Sequence, residues 1–190
     1  MSNPLRSIAR LALSAPARHD ARHEWARRLR GEPILPDGRM QRLLVLCHGN
    51  ICRSPFAAAL LAARLPSLEV RSGGLHAADG DPADATAARC AERRGVSLAA
   101  HRSARVNAGS LDWADLVLVM QGSHVAEIER GWPGFVPRVR LLGDFLAEPP
   151  YLLPDPWGHE EAVFERVFTR LAEAVERLAL RIEKRQAVSS

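Results

Sequence analysis

The chain has almost no lysine: Lys184 is the only one, and arginine supplies the rest of its 26 basic side chains. Aromatic residues are also few, at 5%. With a formal charge of only +4 and no stacking rings interleaved with the arginines, the sequence lacks the footprint of a nucleic-acid binder. Three cysteines are an odd number and make no disulfide framework. No apolar run approaches the length of a membrane span, so membrane insertion is not expected. There is no Gly-Lys-Ser/Thr triplet, which excludes a nucleotide P-loop.

What is present is a chain of 190 residues, 47% hydrophobic. That is enough for one domain with a full core and an appendage. The start mimics a secretory signal: Arg6 and Arg10, then Leu11 to Ala17 with an Ala-Pro-Ala site. Its apolar stretch is short and Arg10 interrupts it, so secretion is not expected. Asp20, Glu24 and Glu32 argue against an organelle transit peptide. His19 to Arg30 reads as a polar, Arg-rich helix ended by Gly31 and Pro33. Its thin apolar face is Ala21, Trp25 and Leu29. Pro33, Pro36 and Gly38 make a linker. Residues 1–40 are therefore expected to be a partly helical extension packed loosely on a domain at 41–185, with 186–190 as a tail.

The chain is organised around Leu43-Leu-Val-Leu-Cys-His-Gly-Asn-Ile-Cys-Arg-Ser-Pro55. Leu43 to Leu46 reads as a buried strand. Gly49 and Asn50 tolerate left-handed backbone angles. Ser54 looks like a helix N-cap and Pro55 like the first helical residue. Strand, tight loop and helix N-terminus together make an anion site, where backbone N–H groups and the helix dipole converge. Cys47 and Arg53, spaced C-x5-R, flank that anion. The field favours the thiolate, a good nucleophile towards phosphorus. The guanidinium fork can hold two phosphate oxygens. A zinc reading of Cys47, His48 and Cys52 fails on spacing and on the lack of a second ligand pair.

Further strands are expected at Leu68–Arg71, Asp115–Met120 and Val139–Leu142. Helices are expected at Phe56–Leu65, Asp81–Arg94, Ser123–Arg130 and Ala162–Arg181. Val163, Phe164, Val167, Phe168, Leu171, Val175 and Leu178 give the last helix one apolar face. This alternation predicts an α/β fold: a doubly wound, four-stranded parallel sheet of order 2-1-3-4, helices on both faces and the anion loop after strand 1. Cys47 then stands at the carboxyl end of the first strand, at the topological switch point where such sheets bind ligands.

The string Cys-His-Gly-Asn-Ile-Cys-Arg-Ser-Pro resembles the active-site loop of low-molecular-weight protein tyrosine phosphatases. The resemblance covers about 41–185 and is silent on residues 1–40. It implies hydrolysis of phosphotyrosine through a phosphocysteine on Cys47. Arg53 and the loop residues His48, Gly49, Asn50, Ile51, Cys52 and Ser54 would hold the phosphoryl group. Pro154-Asp155-Pro156 resembles the family's acid loop, so Asp155 would be general acid and then general base. The pair predicts a bell-shaped pH profile. Asn50 would hold the loop's left-handed turn, Ser54 would donate to the thiolate, and His101 would hydrogen-bond Asn50. Trp157 would wall the pocket for an aryl ring, with His48 at the mouth. Cys52 would form a reversible, protective disulfide with Cys47, whereas Cys90 reads as core. No metal or organic cofactor is implied, and thiolate chemistry points to the cytoplasm.

Ser72-Gly-Gly-Leu-His-Ala to Gly80-Asp-Pro-Ala-Asp84 resembles the bacterial capsule- and exopolysaccharide-linked branch. Its members dephosphorylate tyrosine autokinases, which makes such a kinase the expected protein partner. Three departures stand out: Gly73 where the family has Ala, His48 where Leu is more usual, and Gln121 where an acidic residue is frequent. An arsenate reductase of the same fold would need two more cysteines after the third strand, and the chain has none there. A silent phosphotyrosine-binding regulator would not need Asp155.

Overall fold

The structure, a computed structural model, describes residues 14–38 and 40–188. Arg6, Arg10 and Leu11 of the signal-like start, and residues 189–190 of the tail, lie outside the described residues. Four strands, β1 (Arg42–Cys47), β2 (Glu69–Gly74), β3 (Leu116–Val119) and β4 (Val139–Leu141), form one parallel sheet. Their order is β2-β1-β3-β4, as the alternation of elements predicts. Cys47 is in register with Gly74, and Leu43 with both Val70 and Leu116.

Side chains alternate across a strand, so β1 feeds two cores. Leu43, Val45 and Cys47 join the larger one, with Phe56, Phe145, Phe168 and Leu171. Leu44 and Leu46 join the smaller, with Leu111, Val117, Val119 and Ile128. The first helix after the extension, α2 (Arg53–Arg64), and the last, α6 (Glu161–Val188), pack together on the larger side. There Phe56 stacks on Phe168 with ring centroids 4.3 Å apart. Each such side chain contributes about 1.5–3 kcal/mol by leaving water. The apolar face expected on the last helix is the buried one, with Val163 at its margin. Cys90 is fully buried in the same core.

Several boundaries move for local reasons. The cap of α2 is Cys52, not Ser54, because the Ser54 hydroxyl faces the loop. β2 continues through Ser72, Gly73 and Gly74, past the end at Arg71 expected from the sequence. A Cβ on Gly74 would lie 2.7 Å from the His48 carbonyl, so glycine lets the strand run directly behind the loop. Helix α3 (Ala85–Glu92) starts at Asp84 rather than Asp81, because the Asp84 carboxylate accepts from the N–H groups of Thr86 and Ala87. A short helix not expected from the sequence, α4 (Ala108–Trp113), is set by the reciprocal cap between Asn107 and Ser110. Helix α5 (Gly122–Gly131) follows β3.

The extension differs most from expectation. Its helix α1 spans Ala15–Arg30, four residues longer at its start, with Ser14 as N-cap and Gly31 as C-cap at φ 74°. It is not loosely packed, and its packed face is not the apolar one. Trp25 and Leu29 are 66% and 65% exposed. Asp20, His23, Glu24 and Arg27, at i, i+3, i+4 and i+7, turn inward. The His23 ring meets the Asp144 carboxylate at 3.0 Å. Arg27 is buried, donates from Nε to the Asp144 carbonyl (2.8 Å) and lies over the Tyr151 ring. Glu32 pairs with Arg177 and Arg181 of α6.

Candidate active site

The loop between β1 and α2 is held open by its carbonyls. Those of Cys47 and His48 accept from the N–H groups of Leu75 and His76 (3.0 and 2.9 Å). That of Ile51 accepts from Asp84 N–H (2.9 Å). That of Asn50 accepts from His101 Nε2 at 2.6 Å, which requires that ring nitrogen to carry the proton. Every one of these partners lies outside the loop. A trans peptide points its C=O and the following N–H in opposite directions. The N–H groups of His48, Gly49, Ile51 and Cys52 are therefore turned inward, into a common bowl.

Asn50 makes the turn possible. It is the one non-glycine residue at positive φ (55°) among the described residues. Being fully buried, its amide is anchored on all sides. Oδ1 accepts from Ala104 N–H (2.9 Å), and Nδ2 donates to Ser54 Oγ (2.8 Å) and Ser72 Oγ (3.0 Å). Ser54 Oγ in turn lies 3.1 Å from Cys47 Sγ and 3.2 Å from the Gly73 carbonyl. With the Asn50 amide donating into the hydroxyl, its single proton is free to serve either the carbonyl or the sulfur. When Cys47 is a thiolate, that proton completes a charge-assisted bond to it.

Arg53 opens α2 yet is only 1% exposed. Nη1 donates to Gln121 Oε1 (2.9 Å) and to the Leu153 carbonyl (3.0 Å). Nη2 meets Asp155 Oδ2 at 2.5 Å. Nε is buried with no acceptor at all. A buried guanidinium N–H without a partner is costly unless an anion completes it. A cavity of about 240 Å³ is lined by Cys47, His48, Gly49, Ile51, Cys52, Asp155 and Trp157. Asp155 is 39% exposed, and Trp157 is 63% exposed at the rim. The cavity thus has a sulfur and a carboxylate in its wall and loop N–H groups beside them, with the Arg53 guanidinium bonded to that carboxylate.

All the sequence-derived candidates meet here, His101 through the Asn50 carbonyl and Ser54 through the sulfur. Cys52 is a buried free thiol. Burial, with the charges of Asp84, Cys47 and Asp155, pushes it well above the usual thiol range. The site also contains groups that the motifs did not signal. Gln121 and the Leu153 carbonyl hold Arg53. The His76 ring lies 4.6 Å from that of His48 and meets Glu127 at 2.7 Å. His124 is buried with Nδ1 unpartnered, and burial, then Arg53, His48 and His76, holds it down to about 3. Among the described residues, one group has metal-ligand spacing: Cys90, Glu161 and Glu165. Arg89, Arg93 and Arg94 already pair with its carboxylates, and no loop residue belongs to it. No helix among the described residues is long and apolar enough to cross a membrane.

The family described as low molecular weight phosphotyrosine protein phosphatase matches residues 42–188. The Etp low-molecular-weight protein-tyrosine-phosphatase of Escherichia coli K12 is 36% identical over 146 residues, spanning 77% of this chain and 97% of that protein. The tyrosine phosphatase Wzb of Escherichia coli K30, solved with sulphate, superposes with a TM-score of 0.72 at 35% identity, over 75% of this chain and 99% of that one. The YwlE arginine phosphatase of Geobacillus stearothermophilus gives 0.74 at 33% identity, over 79% and 97%.

Proposed function

We propose that this chain, which belongs to the low-molecular-weight phosphotyrosine protein phosphatase family, hydrolyses phosphotyrosine in proteins through a phosphocysteine on Cys47. The observation that carries this assignment is the buried Arg53 guanidinium, its Nε acceptorless and its Nη2 on the cavity carboxylate Asp155, beside a loop of inward N–H groups that shares that cavity with the Cys47 sulfur. The phosphoryl oxygens take those donors. The Cys47 thiolate attacks phosphorus as the ester P–O bond breaks, and Asp155 gives its proton to the departing phenolate. Asp155, now a base, takes a proton from water. The resulting hydroxide attacks phosphorus, the S–P bond breaks and phosphate leaves. Arg53 stabilises the charge that builds on the equatorial oxygens in both steps. His101, Asn50 and Ser54 keep the bowl in shape, and Cys52, which lines the same cavity, protects Cys47 as a disulfide when a peroxide takes two electrons from the pair.

Phosphotyrosine is favoured over phosphoarginine by the walls. Ile51 and Trp157 offer apolar surface to an aryl ring. The segment 72–84 supports a tyrosine autokinase of polysaccharide production and export as the protein substrate, in the cytoplasm. The test is hydrolysis of para-nitrophenyl phosphate against pH, metal-free and in reductant, by wild type, Cys47→Ser and Asp155→Ala. A bell-shaped profile, lost with Cys47→Ser and strongly lowered with Asp155→Ala, is expected. Full activity of Cys47→Ser would overturn the mechanism. A preference for phosphoarginyl over phosphotyrosyl peptide would overturn the substrate class.

A further inference from the structure

We propose that Asp20, on the helix that precedes the phosphatase domain, is a positioning residue for Arg53, acting through the side-chain amide of Gln121. The proposal rests on the reading of Arg53 as a phosphate ligand.

Gln121 sits between two charged groups of fixed hydrogen-bonding sense. Its Nε2 donates to Asp20 Oδ2 at 3.0 Å, and its Oε1 accepts from Arg53 Nη1 at 2.9 Å. A carboxylate only accepts and a guanidinium only donates, so one orientation of the amide satisfies both ends. The Asp20 carboxylate therefore sets the polarity of Gln121 and turns its oxygen towards Arg53. Asp20 is itself held at both oxygens, since Oδ1 accepts from Ser123 N–H (2.8 Å) in the first turn of α5. The approach of α1 to that turn is close. A Cβ on Gly122 would stand 2.7 Å from the His19 carbonyl and 2.9 Å from His23 Cβ.

The second acceptor of Nη1 is backed by the same helix. Glu24 Oε2 accepts from Tyr151 N–H (2.7 Å), and Arg27 lies 4.3 Å over the Tyr151 ring. Tyr151 begins the segment that carries the Leu153 carbonyl and Asp155. Helix α1 thus fixes both partners of Nη1, one through Asp20 and Gln121, the other through Glu24 and Tyr151. With Nη1 saturated, the guanidinium cannot roll, and Nη2 stays on Asp155 in the cavity wall.

The experiment exchanges the polarity of the pair in the full chain: Asp20→Asn, Gln121→Glu and the two together. Each is read by calorimetric binding of inorganic phosphate and by kcat and KM on para-nitrophenyl phosphate. Asp20→Asn keeps shape and an oxygen for Ser123 N–H, but presents an NH2 to Gln121. The amide must then turn a donor to Arg53 or leave one group unpaired. Phosphate affinity and kcat/KM should each fall by about 3–10-fold, the worth of one hydrogen bond. Gln121→Glu alone sets two carboxylates against each other and should also lose activity. In the double variant the introduced amide donates to the introduced carboxylate, which in turn accepts from Arg53. Both readouts should then return to within about twofold of wild type. A purely structural Asp20, serving only as the α5 cap, would leave phosphate binding unmoved by Asp20→Asn. That result overturns the proposal, as does a double variant carrying the summed losses of the singles. Should either single variant fail to fold, the double still decides, because it restores every bond of the wild type. A wild-type chain that binds no phosphate would overturn this proposal and the reading of the loop together. One that binds phosphate but ignores Asp20→Asn overturns this proposal alone.

Discussion

The loop at 47–54 and the helix at 15–30 reach Arg53 by different means. The loop works through consecutive residues and main-chain geometry. Its carbonyls are pulled outward, Asn50 takes the left-handed turn, and the N–H groups face in as a consequence. The helix works through single side chains that meet partners more than a hundred residues away: Asp20 with Gln121, and Glu24 with Tyr151. A site made by contiguous backbone is rigid because each bond constrains the next peptide. One braced by distant side chains depends on a few hydrogen bonds, each worth about 1 kcal/mol net. The loop should therefore be the part that abolishes chemistry when broken, and the helix the part that grades it.

The largest effects sharpen the loop's side of that contrast. Cys47→Ser should remove turnover altogether. Asp155→Ala should lower kcat by about 10²–10⁴-fold at the pH optimum, as steady-state assays with an aryl phosphate will read. Gly74→Ala should come next. The new methyl would press on the His48 carbonyl and the Asn50 amide nitrogen. It should cost about 1–3 kcal/mol in denaturant unfolding and weaken phosphate binding by deforming the bowl. On the helix's side, Glu24→Ala removes the acceptor of Tyr151 N–H. A loss of about 1 kcal/mol in stability is expected, with a few-fold fall in kcat/KM. A drop as large as that of Asp155→Ala would break the comparison. The last effect touches stability and leaves turnover aside: it concerns His124, lowered from its ordinary value near 6.5 to about 3. The unfolded chain takes up this proton as pH falls through 6.5, and the folded chain does not until about 3. Its contribution to stability is thus whole above 6.5 and lost progressively towards 3. On the order of 1–2 kcal/mol should disappear between pH 7 and pH 5. Urea unfolding at those two pH values should show a shallower slope for His124→Asn than for wild type.

What was legible in the sequence follows the same division. The strand order and the loop with its cysteine and arginine could be read because the signal is local: an apolar run, a tight turn, a helix start. Asp155 came only from the resemblance of Pro154-Asp155-Pro156 to an acid loop. The last helix showed its buried face because Phe164, Phe168, Leu171 and Val175 repeat with the helical period. Ser54 reads as a cap in the sequence and is not one, because a hydroxyl at a helix start looks the same whether it faces the backbone or a sulfur. The docking of α1 was invisible for a physical reason. Its packed face is Asp20, His23, Glu24 and the buried Arg27, whereas hydrophobic periodicity selects Trp25 and Leu29, which are exposed. Polar packing carries no periodic apolar signature. Gln121 did stand out in the sequence, but its partner Asp20 is fixed only by the fold.

The most direct measurement of the central claim is acid-quench trapping of the reaction intermediate. Asp155→Ala, mixed with a phosphotyrosyl peptide and quenched within one turnover, would be digested and mapped by mass spectrometry. A phosphoryl group on Cys47, absent in Cys47→Ser, is the predicted result. Turnover with no adduct on Cys47, or with the phosphoryl group on another residue, would contradict it.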